Sequence, residues 1–236
     1  MNRIPQLELE VICCTVEDAI AACRGGATRL ELTVQLDQAG ITPPRELVEA
    51  IIQSVPVPVR VMLRDRTDFE IGTLNELETL RRLANQFAAA GVNGLVTGFV
   101  KDGTLDVGAL RAILHEVPQT CFTIHHAIEA TRDPLAALQS VCEFKNADRC
   151  LVHGGFGPQE ERITRLLEYR KALGSERRLI LGGRVTLAAL PEFIRATGIF
   201  EAHLGRAVRT PETAEGAVDA EKVRRALQLL QSSFVY

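Results

Sequence analysis

Four of the five histidines in this 236-residue chain come directly after short apolar runs that predict β-strands. They are His125, His126, His153 and His203, whereas His115 falls near the end of a predicted helix. Imidazole changes charge near neutral pH and is the commonest metal ligand in proteins. Each histidine alone could be an ordinary buried side chain, but their shared position at strand ends predicts acid–base or metal-binding chemistry.

Two carboxylates interrupt runs that are otherwise aliphatic. Glu10 and Glu31 stand within the first and second predicted strands. A buried carboxylate must be paired or keep its proton, because an isolated buried charge is costly. We expect Arg64 and Arg66, which follow the third predicted strand, to be the partners. These residues predict either a catalytic site or an ion-pair network that only fixes strand register. The predicted catalytic residues are Glu10, Glu31, Arg64, His125 and His203.

Glycine and arginine follow the last two predicted strands, in Gly182-Gly183-Arg184 and Leu204-Gly205-Arg206. In eight-stranded α/β barrels, the loops after strands seven and eight frequently hold a phosphate on backbone N–H groups. Two ordinary glycine turns are the alternative, since Gly-Gly alone is a weak motif. The predicted ligand- or phosphate-binding residues are Arg66, Gly182, Gly183, Arg184, Gly205 and Arg206.

The six cysteines give a weaker signal. Cys13 and Cys14 are adjacent, so within a strand their side chains point to opposite faces. No Cys-x-x-Cys spacing occurs, and we expect most of the thiols to be buried and reduced. The chain also has no glycine-rich nucleotide motif, and none of its lysines ends a predicted strand. These features argue against a nucleotide fingerprint and against a Schiff-base aldolase.

The elements that must position these side chains alternate regularly along the chain. Amphipathic helical patterns separate the apolar runs, and Thr15, Thr42, Thr73 and Asp133 are predicted helix caps. Strands that alternate with helices predict a parallel sheet, and eight of them predict a single-domain (β/α)8 TIM barrel over residues 1–236. An open doubly wound sheet is the alternative. The predicted strands are Leu7–Ile12, Arg29–Leu32, Val57–Leu63, Gly94–Thr97, Thr120–Ile124, Asp148–Val152, Arg178–Leu181 and Ile199–His203.

Charge and hydropathy exclude some classes of protein. The formal net charge is −3, which argues against a nucleic-acid binder with a strongly basic face. No apolar stretch is long enough to predict a membrane span. The first ten residues do not have the pattern of a secretory signal peptide, so we expect a cytoplasmic protein.

Ten stretches, in their order and spacing, resemble the CutC copper-homeostasis family from about Leu9 to Arg209. The resemblance implies a small (β/α)8 barrel, a cytosolic homodimer or higher homo-oligomer, and copper as the metal. It also implies a polar cluster at Glu10, Glu31, Arg64, His125 and His203. The stretches are Leu9–Val11, Arg24–Leu32, Gly40–Pro43, Val61–Arg66, Lys101–Asp106, Ile124–Ala127, Arg132–Pro134, Asp148-Arg149, Gly182-Gly183 and Glu201–His203.

This chain departs from the family where copper ligands are concerned. Cysteines near the ends of the first two strands have been put forward as the family's Cu(I) ligands, and Ile12 and Thr33 stand at those positions here. Cys13 and Cys14 are the nearest thiols. Other departures are His126 where the family often has arginine, Glu129 where it has aspartate, and Arg184 in place of a third glycine.

Three hypotheses follow. The first is a copper-homeostasis protein that binds copper, if at all, near Cys13 or Cys14. The second is a barrel enzyme that acts on a small anionic, possibly phosphorylated, substrate by histidine and glutamate acid–base chemistry. The third is a Zn, Mn or Fe site formed by Glu31, His125 and His203. The apolar tail Phe234–Tyr236 could also pack on a partner subunit.

Overall fold

The computed structural model describes residues 7–233, in which eight parallel strands close into a barrel in the order β1-β8-β7-β6-β5-β4-β3-β2. This confirms the predicted (β/α)8 architecture. Every predicted strand is present, with ends that differ by at most two residues. The strands are β1 Glu8–Cys13, β2 Arg29–Leu32, β3 Val59–Met62, β4 Gly94–Thr97, β5 Cys121–Ile124, β6 Ala147–Val152, β7 Arg178–Gly182 and β8 Glu201–Leu204.

One helix follows each strand. Side-chain caps at Thr15, Thr73 and Asp133 start the first, third and fifth helices as predicted, because each side-chain oxygen accepts a backbone N–H of the first turn. None of the helices in residues 7–233 has the length and apolarity needed to cross a membrane. The helices are α1 Val16–Gly25, α2 Arg45–Ser54, α3 Leu74–Ala89, α4 Val107–Leu114, α5 Pro134–Val141, α6 Gln159–Leu173, α7 Leu190–Thr197 and α8 Ala220–Ser232.

The predicted cap at Thr42 is wrong. Helix α2 begins at Arg45, after Pro44. The Thr42 hydroxyl instead donates to the carbonyl of Arg64 and accepts the Arg64 backbone N–H, both at 2.9 Å. Thr42 therefore ties the loop after β2 to the end of β3, next to the mouth of the barrel.

Side chains alternate between the two faces of each strand. In β1, Leu9, Val11 and Cys13 belong to the main apolar core between the strands and the helices. Glu8 and Glu10 have the opposite parity and face the barrel interior. The sheet is thus apolar towards the helices and carries charged side chains inside the barrel, which is why the interior can hold a polar site.

An ion-pair network fills the N-terminal half of the barrel. The buried Arg29 guanidinium lies 2.9 Å from Glu8 and 2.5 Å from Glu10. Arg149 lies 3.1 Å from Glu8 and 2.7 Å from Glu201. Because these residues come from β1, β2, β6 and β8, the network fixes the mutual register of strands that are far apart in sequence. An ion-pair network that fixes strand register, which was one of the two predicted roles of the buried acids, is therefore present in the N-terminal half of the barrel.

Candidate functional site

A cavity of about 420 Å³ opens at the C-terminal mouth of the barrel. Seven of the eight strands supply its wall, through residues at or just after their C-terminal ends. Four of the five predicted catalytic residues line it, and the fifth, Glu10, lies beneath. Its lining includes the side chains of Glu31, Met62, Arg64, His125, His126, Arg184, His203, Arg206 and Glu212.

Glu10 and His203 form a buried pair across neighbouring strands. His203 Nδ1 lies 2.7 Å from Glu10 Oε1, and the other carboxylate oxygen accepts Nε–H of Arg29. Burial alone would raise the pKa of Glu10, but Arg29 and the hydrogen bond with His203 outweigh it and lower that pKa. The predicted partnership of Glu10 with Arg64 or Arg66 is wrong, because the β1–β2 register puts Arg29 directly beside Glu10.

Glu31 is the buried acid that the ion-pair network does not neutralise. Its Oε2 is buried and has no hydrogen-bond partner among residues 7–233, and it lies 3.9 Å from His203 Nδ1. Burial raises the pKa of Glu31 to about 7, with Glu10 adding to the effect and His203 and Arg64 opposing it. At neutral pH this carboxyl can therefore both donate and accept a proton.

The pKa of His203 is also raised. Burial disfavours the charged imidazole, but the nearby carboxylates of Glu31 and Glu10 outweigh burial and raise the pKa of His203. Since Nδ1–H donates to Glu10, Nε2 is the ring atom left to meet a ligand in the cavity. Glu10 thus fixes the orientation of the His203 ring and stabilises its protonated form.

His125 is held in one neutral tautomer. Its Nδ1 accepts the backbone N–H of Ala127 at 3.2 Å, so the ring proton is on Nε2. That Nε2 is buried and has no partner within the described part of the chain. Burial, together with the charges of Arg64 and His126, lowers the pKa of His125 well below its usual value. His125 therefore presents an unused N–H donor to a cavity ligand.

Arg64 is a buried cation on the cavity wall. Its Nε and Nη2 donate to the carbonyls of Gly40 and Ala39, at 3.0 and 2.8 Å for the two bonds. Across residues 7–233, no carboxylate oxygen lies within 4.0 Å of its guanidinium nitrogens. Arg184 and Arg206 are exposed at the rim of the same cavity. The mouth thus concentrates positive charge, while Glu212 at its rim pairs with Lys222 at 2.9 Å.

The structure separates two predicted ligand-binding residues from the cavity. Arg66 is exposed and pairs with Asp68 at 2.8 Å, because the chain turns outwards after Arg64. Gly182 is buried in β7, where an added Cβ would come within 2.8 Å of the His203 side chain. Its role is to make room for His203. Gly183, Arg184, Gly205 and Arg206 do line the cavity, as predicted.

The structure also separates both candidate copper ligands from the cavity. Cys13 is fully buried among the core residues, on the opposite face of β1 from the interior. Cys14 Sγ lies 3.7 Å from an Arg209 nitrogen. Burial raises the pKa of both thiols, which disfavours the thiolate that Cu(I) prefers. Ile12 and Thr33, at the family's cysteine positions, do line the cavity.

The predicted hard-metal trio is only partly assembled. Glu31 and His203 have donor atoms within 4.8 Å of each other, and the third member of their group is Glu10. Glu10 takes the place predicted for His125 in this group of donors, because Glu10 is the direct strand neighbour of His203 in the β1–β8 register.

A second cluster stands beside the cavity, formed by His126, Glu129 and His153. The sequence analysis assigned no role to Glu129. The feature that could have identified it is its position three residues after His126, a histidine at a strand end. Glu129 Oε1 accepts the backbone N–H groups of Gly154 and Gly155 at 2.8 and 2.9 Å. Both glycines have positive φ, which lets their N–H groups converge on the carboxylate.

A family model described as the CutC family matches residues 7–208. This chain belongs to the CutC family. A family protein CutC from Xanthomonas campestris pv. campestris is 27% identical over 241 residues, which cover 95% of this chain and 99% of the relative. The human copper homeostasis protein cutC homolog is 33% identical over 207 residues, which cover 83% of this chain and 71% of the relative.

The fold comparison agrees with the family match. A crystal structure described as the putative copper homeostasis protein CutC from Streptococcus agalactiae superposes with a TM-score of 0.78. The two chains are 20% identical, and the superposition covers 85% of this chain and 98% of the other. At that identity the likeness establishes the barrel fold, while the chemistry of the mouth has to be argued from the side chains of this chain.

Proposed function

We propose that this CutC-family protein is an acid–base enzyme that acts on a small anionic substrate at the barrel mouth. The observation that carries the proposal is Glu31, a buried carboxyl on the cavity wall with a pKa raised to about 7 and an oxygen that has no hydrogen-bond partner in residues 7–233. A general acid–base group works best when its pKa is close to the operating pH. Burying such a carboxyl next to the Glu10 carboxylate is costly, and a role in proton transfer accounts for it.

The neighbouring groups supply the rest of the chemistry. Glu31 Oε2 takes a proton from the substrate and returns it to an adjacent atom. The Nε2–H of His125 donates to the substrate oxygen on which negative charge develops, in the way that an oxyanion hole does. His203, charged and oriented by Glu10, is the second proton donor.

Arginine recognises the anionic part of the substrate. Arg64 offers a buried positive charge without a carboxylate partner in residues 7–233, and Arg184 and Arg206 add exposed charge at the rim. Guanidinium groups suit phosphate and carboxylate because their N–H donors match the planar or tetrahedral oxygens. A cavity of about 420 Å³ limits the ligand to a small molecule.

Anion binding is tested by calorimetric titration with inorganic phosphate and pyrophosphate. We expect binding by the wild type and a loss of about 30-fold or more in Arg184→Gln/Arg206→Gln, because about 1 to 2 kcal/mol comes from each of the two charged contacts. The matched control is Arg195→Gln/Arg225→Gln, which removes two exposed arginines elsewhere. Equal affinities for the rim variant and the control would refute anion recognition at this mouth.

Proton transfer is tested in D2O. Small phosphorylated aldehydes and ketones are incubated with the protein, and proton NMR follows the exchange of their C–H protons for deuterium. Glu31→Gln should slow the exchange by about 100-fold or more, as expected for the loss of a general base. Exchange that survives this substitution would show that Glu31 is not the base.

Copper binding is the second candidate, and the name of the human relative supports it. The thiols do not fit a Cu(I) site in the cavity, because Cys13 faces the helices and Cys14 lies beside Arg209. The cavity's soft donor is the thioether of Met62. Titration of Cu(I) against a competing chelator should give equal affinities for wild type and Cys13→Ser/Cys14→Ser, and a loss in the double variant would restore the cysteine hypothesis.

A cytosolic location and a homo-oligomeric state stay predictions, supported by the family resemblance. The tail Phe234–Tyr236, proposed to contact a partner subunit, lies outside the described residues. Size-exclusion chromatography with light scattering, on the full chain and on a chain that ends at Ser233, tests the oligomer and the role of the tail together.

A further inference from the structure

We propose that His126, Glu129 and His153 form a binding site for a divalent transition-metal ion of the Zn²⁺ type. The three residues each offer one donor atom, and these atoms all lie within 4.8 Å of one another. Neither the acid–base proposal nor the family's cysteine positions involve this cluster. Two imidazoles and one carboxylate are a donor set that Zn²⁺, Co²⁺ and similar ions prefer.

The protonation state of His153 leaves two hydrogen-bond acceptors facing each other, and a cation between them would bind both. His153 Nδ1 lies 2.9 Å from the carbonyl oxygen of Gly155, and a carbonyl only accepts, so Nδ1 carries a proton. In the neutral ring, Nε2 then presents its lone pair. This lone pair faces Glu129 Oε2 at 3.4 Å, so two acceptors confront each other in a largely buried place.

The spacing of the donors suits a metal ion. Glu129 Oε2 lies 3.2 Å from His126 Nδ1 and 3.4 Å from His153 Nε2. Ligands about 2.1 Å from a tetrahedral ion are about 3.4 Å from one another, so both oxygen–nitrogen separations already match such a site. The two imidazole rings pack with centroids 4.9 Å apart and present their nitrogens to the same carboxylate oxygen.

The groups behind the donors are arranged as in metal sites. A metal-bound histidine usually donates its other ring N–H to a backbone carbonyl, as His153 does to Gly155. Glu129 Oε1 is fixed by two backbone N–H groups, which leaves Oε2 to face the histidines. Oε2 also accepts the His153 backbone N–H at 2.8 Å, and its other lone pair faces His126 Nδ1 at 3.2 Å, where a metal ion would take the place of the ring proton.

The charges around the cluster permit a cation. Arg162 is a buried cation packed nearby, but its Nε–H donates to the His153 carbonyl at 2.9 Å, and Nη1 and Nη2 each donate to a carbonyl, those of Arg184 and Gly183. Its donors therefore do not occupy Glu129. His126 lines the cavity, so the proposed site opens towards the barrel mouth and an ion can enter from there.

The test is a titration of the protein with Zn²⁺ and, separately, with Co²⁺. The visible absorption bands of bound Co²⁺ report its coordination geometry. We expect one ion per wild-type chain and at least about a 100-fold weaker binding by His126→Arg, which removes a ligand and puts a guanidinium cation beside Glu129. Glu31→Gln is the control, because it removes a donor from the Glu10–Glu31–His203 trio. Its binding should equal that of the wild type, and Mg²⁺ should not displace Co²⁺.

Three results would overturn the proposal. One is the absence of stoichiometric Zn²⁺ binding by the wild type, which would mean that a proton and not a metal ion joins His153 to Glu129. Another is equal binding by His126→Arg and wild type. The third is binding that Glu31→Gln abolishes. If His126→Arg does not fold, imidazole ¹⁵N spectra of the wild type decide, because Zn²⁺ must shift His126 Nδ1 and His153 Nε2 and leave His153 Nδ1 protonated.

Discussion

Replacing Glu31 by glutamine should change how the stability of the protein depends on pH. In the folded protein burial raises the pKa of Glu31 from 4.5 to about 7. Between these two pH values the unfolded chain releases this proton while the folded chain keeps it. The free energy of unfolding therefore falls as the pH rises through this window, and it levels off above the folded pKa.

The magnitude follows from the two pKa values. A difference between 4.5 and about 7 corresponds to about 3 kcal/mol, at 1.36 kcal/mol for each pKa unit. Glu31→Gln keeps the shape of the side chain and removes the ionisation. The stability of the variant minus that of the wild type should thus increase by about 3 kcal/mol between pH 4.5 and pH 8, and most of the increase should come below pH 7.

Urea unfolding at a series of pH values measures this difference. Glu192→Gln is the matched control, because it makes the same substitution at an exposed residue of helix α7, away from the cavity. In parallel, ¹³C NMR of the glutamate carboxyl carbons should show one resonance that titrates near pH 7 and is missing from Glu31→Gln. Stability curves that stay parallel for wild type and Glu31→Gln, with a Glu31 carboxyl that titrates below pH 5, would refute the reasoning.

Further tests concern the frame around the site. Arg60→Met should lower the free energy of unfolding by about 3 kcal/mol in urea, since Arg60 holds Asp148 through two bonds of 2.9 and 2.8 Å and is itself buried. Asp133→Ala should cost about 1 kcal/mol in the same assay through loss of the α5 cap, whereas Asp133→Asn should cost little. A thiol reagent should modify the exposed Cys142 in the native protein and leave the buried Cys150 unmodified until unfolding, as mass spectrometry would show.

The strands were predictable because a parallel strand covered on both sides reads as an almost continuous apolar run. The prediction of Arg29–Leu32 and Gly94–Thr97 matches the structure to the residue. The third strand is shorter than its apolar run, Val57–Leu63, because pairing with its neighbours extends only over Val59–Met62. Hydropathy reports burial, whereas strand ends are set by backbone pairing.

The site was predictable as a set of residues but not as a set of contacts. Strand-end position identified Arg64, His125 and His203, because the C-terminal ends of barrel strands converge on one mouth, and Glu31 was identified as a carboxylate within an apolar run. The partner of Glu10 was wrong, since Arg29 became its neighbour through the β1–β2 register, which no local pattern encodes. Likewise, Glu129 joins His153 only because the turn after β5 meets the end of β6.

The sequence alone determined the order of the elements, the position of Glu10 and Glu31 within strands, and the end of the barrel at which the histidines gather, because these depend on periodicities that are local along the chain. The tertiary structure decided which acid keeps its proton. Glu10 and Glu31 are both buried carboxyls, yet Arg29 lies 2.5 Å from Glu10, whereas Glu31 has no cation at such a distance within residues 7–233. That difference arises from the distances between charges on neighbouring strands, and only the closed barrel fixes those distances.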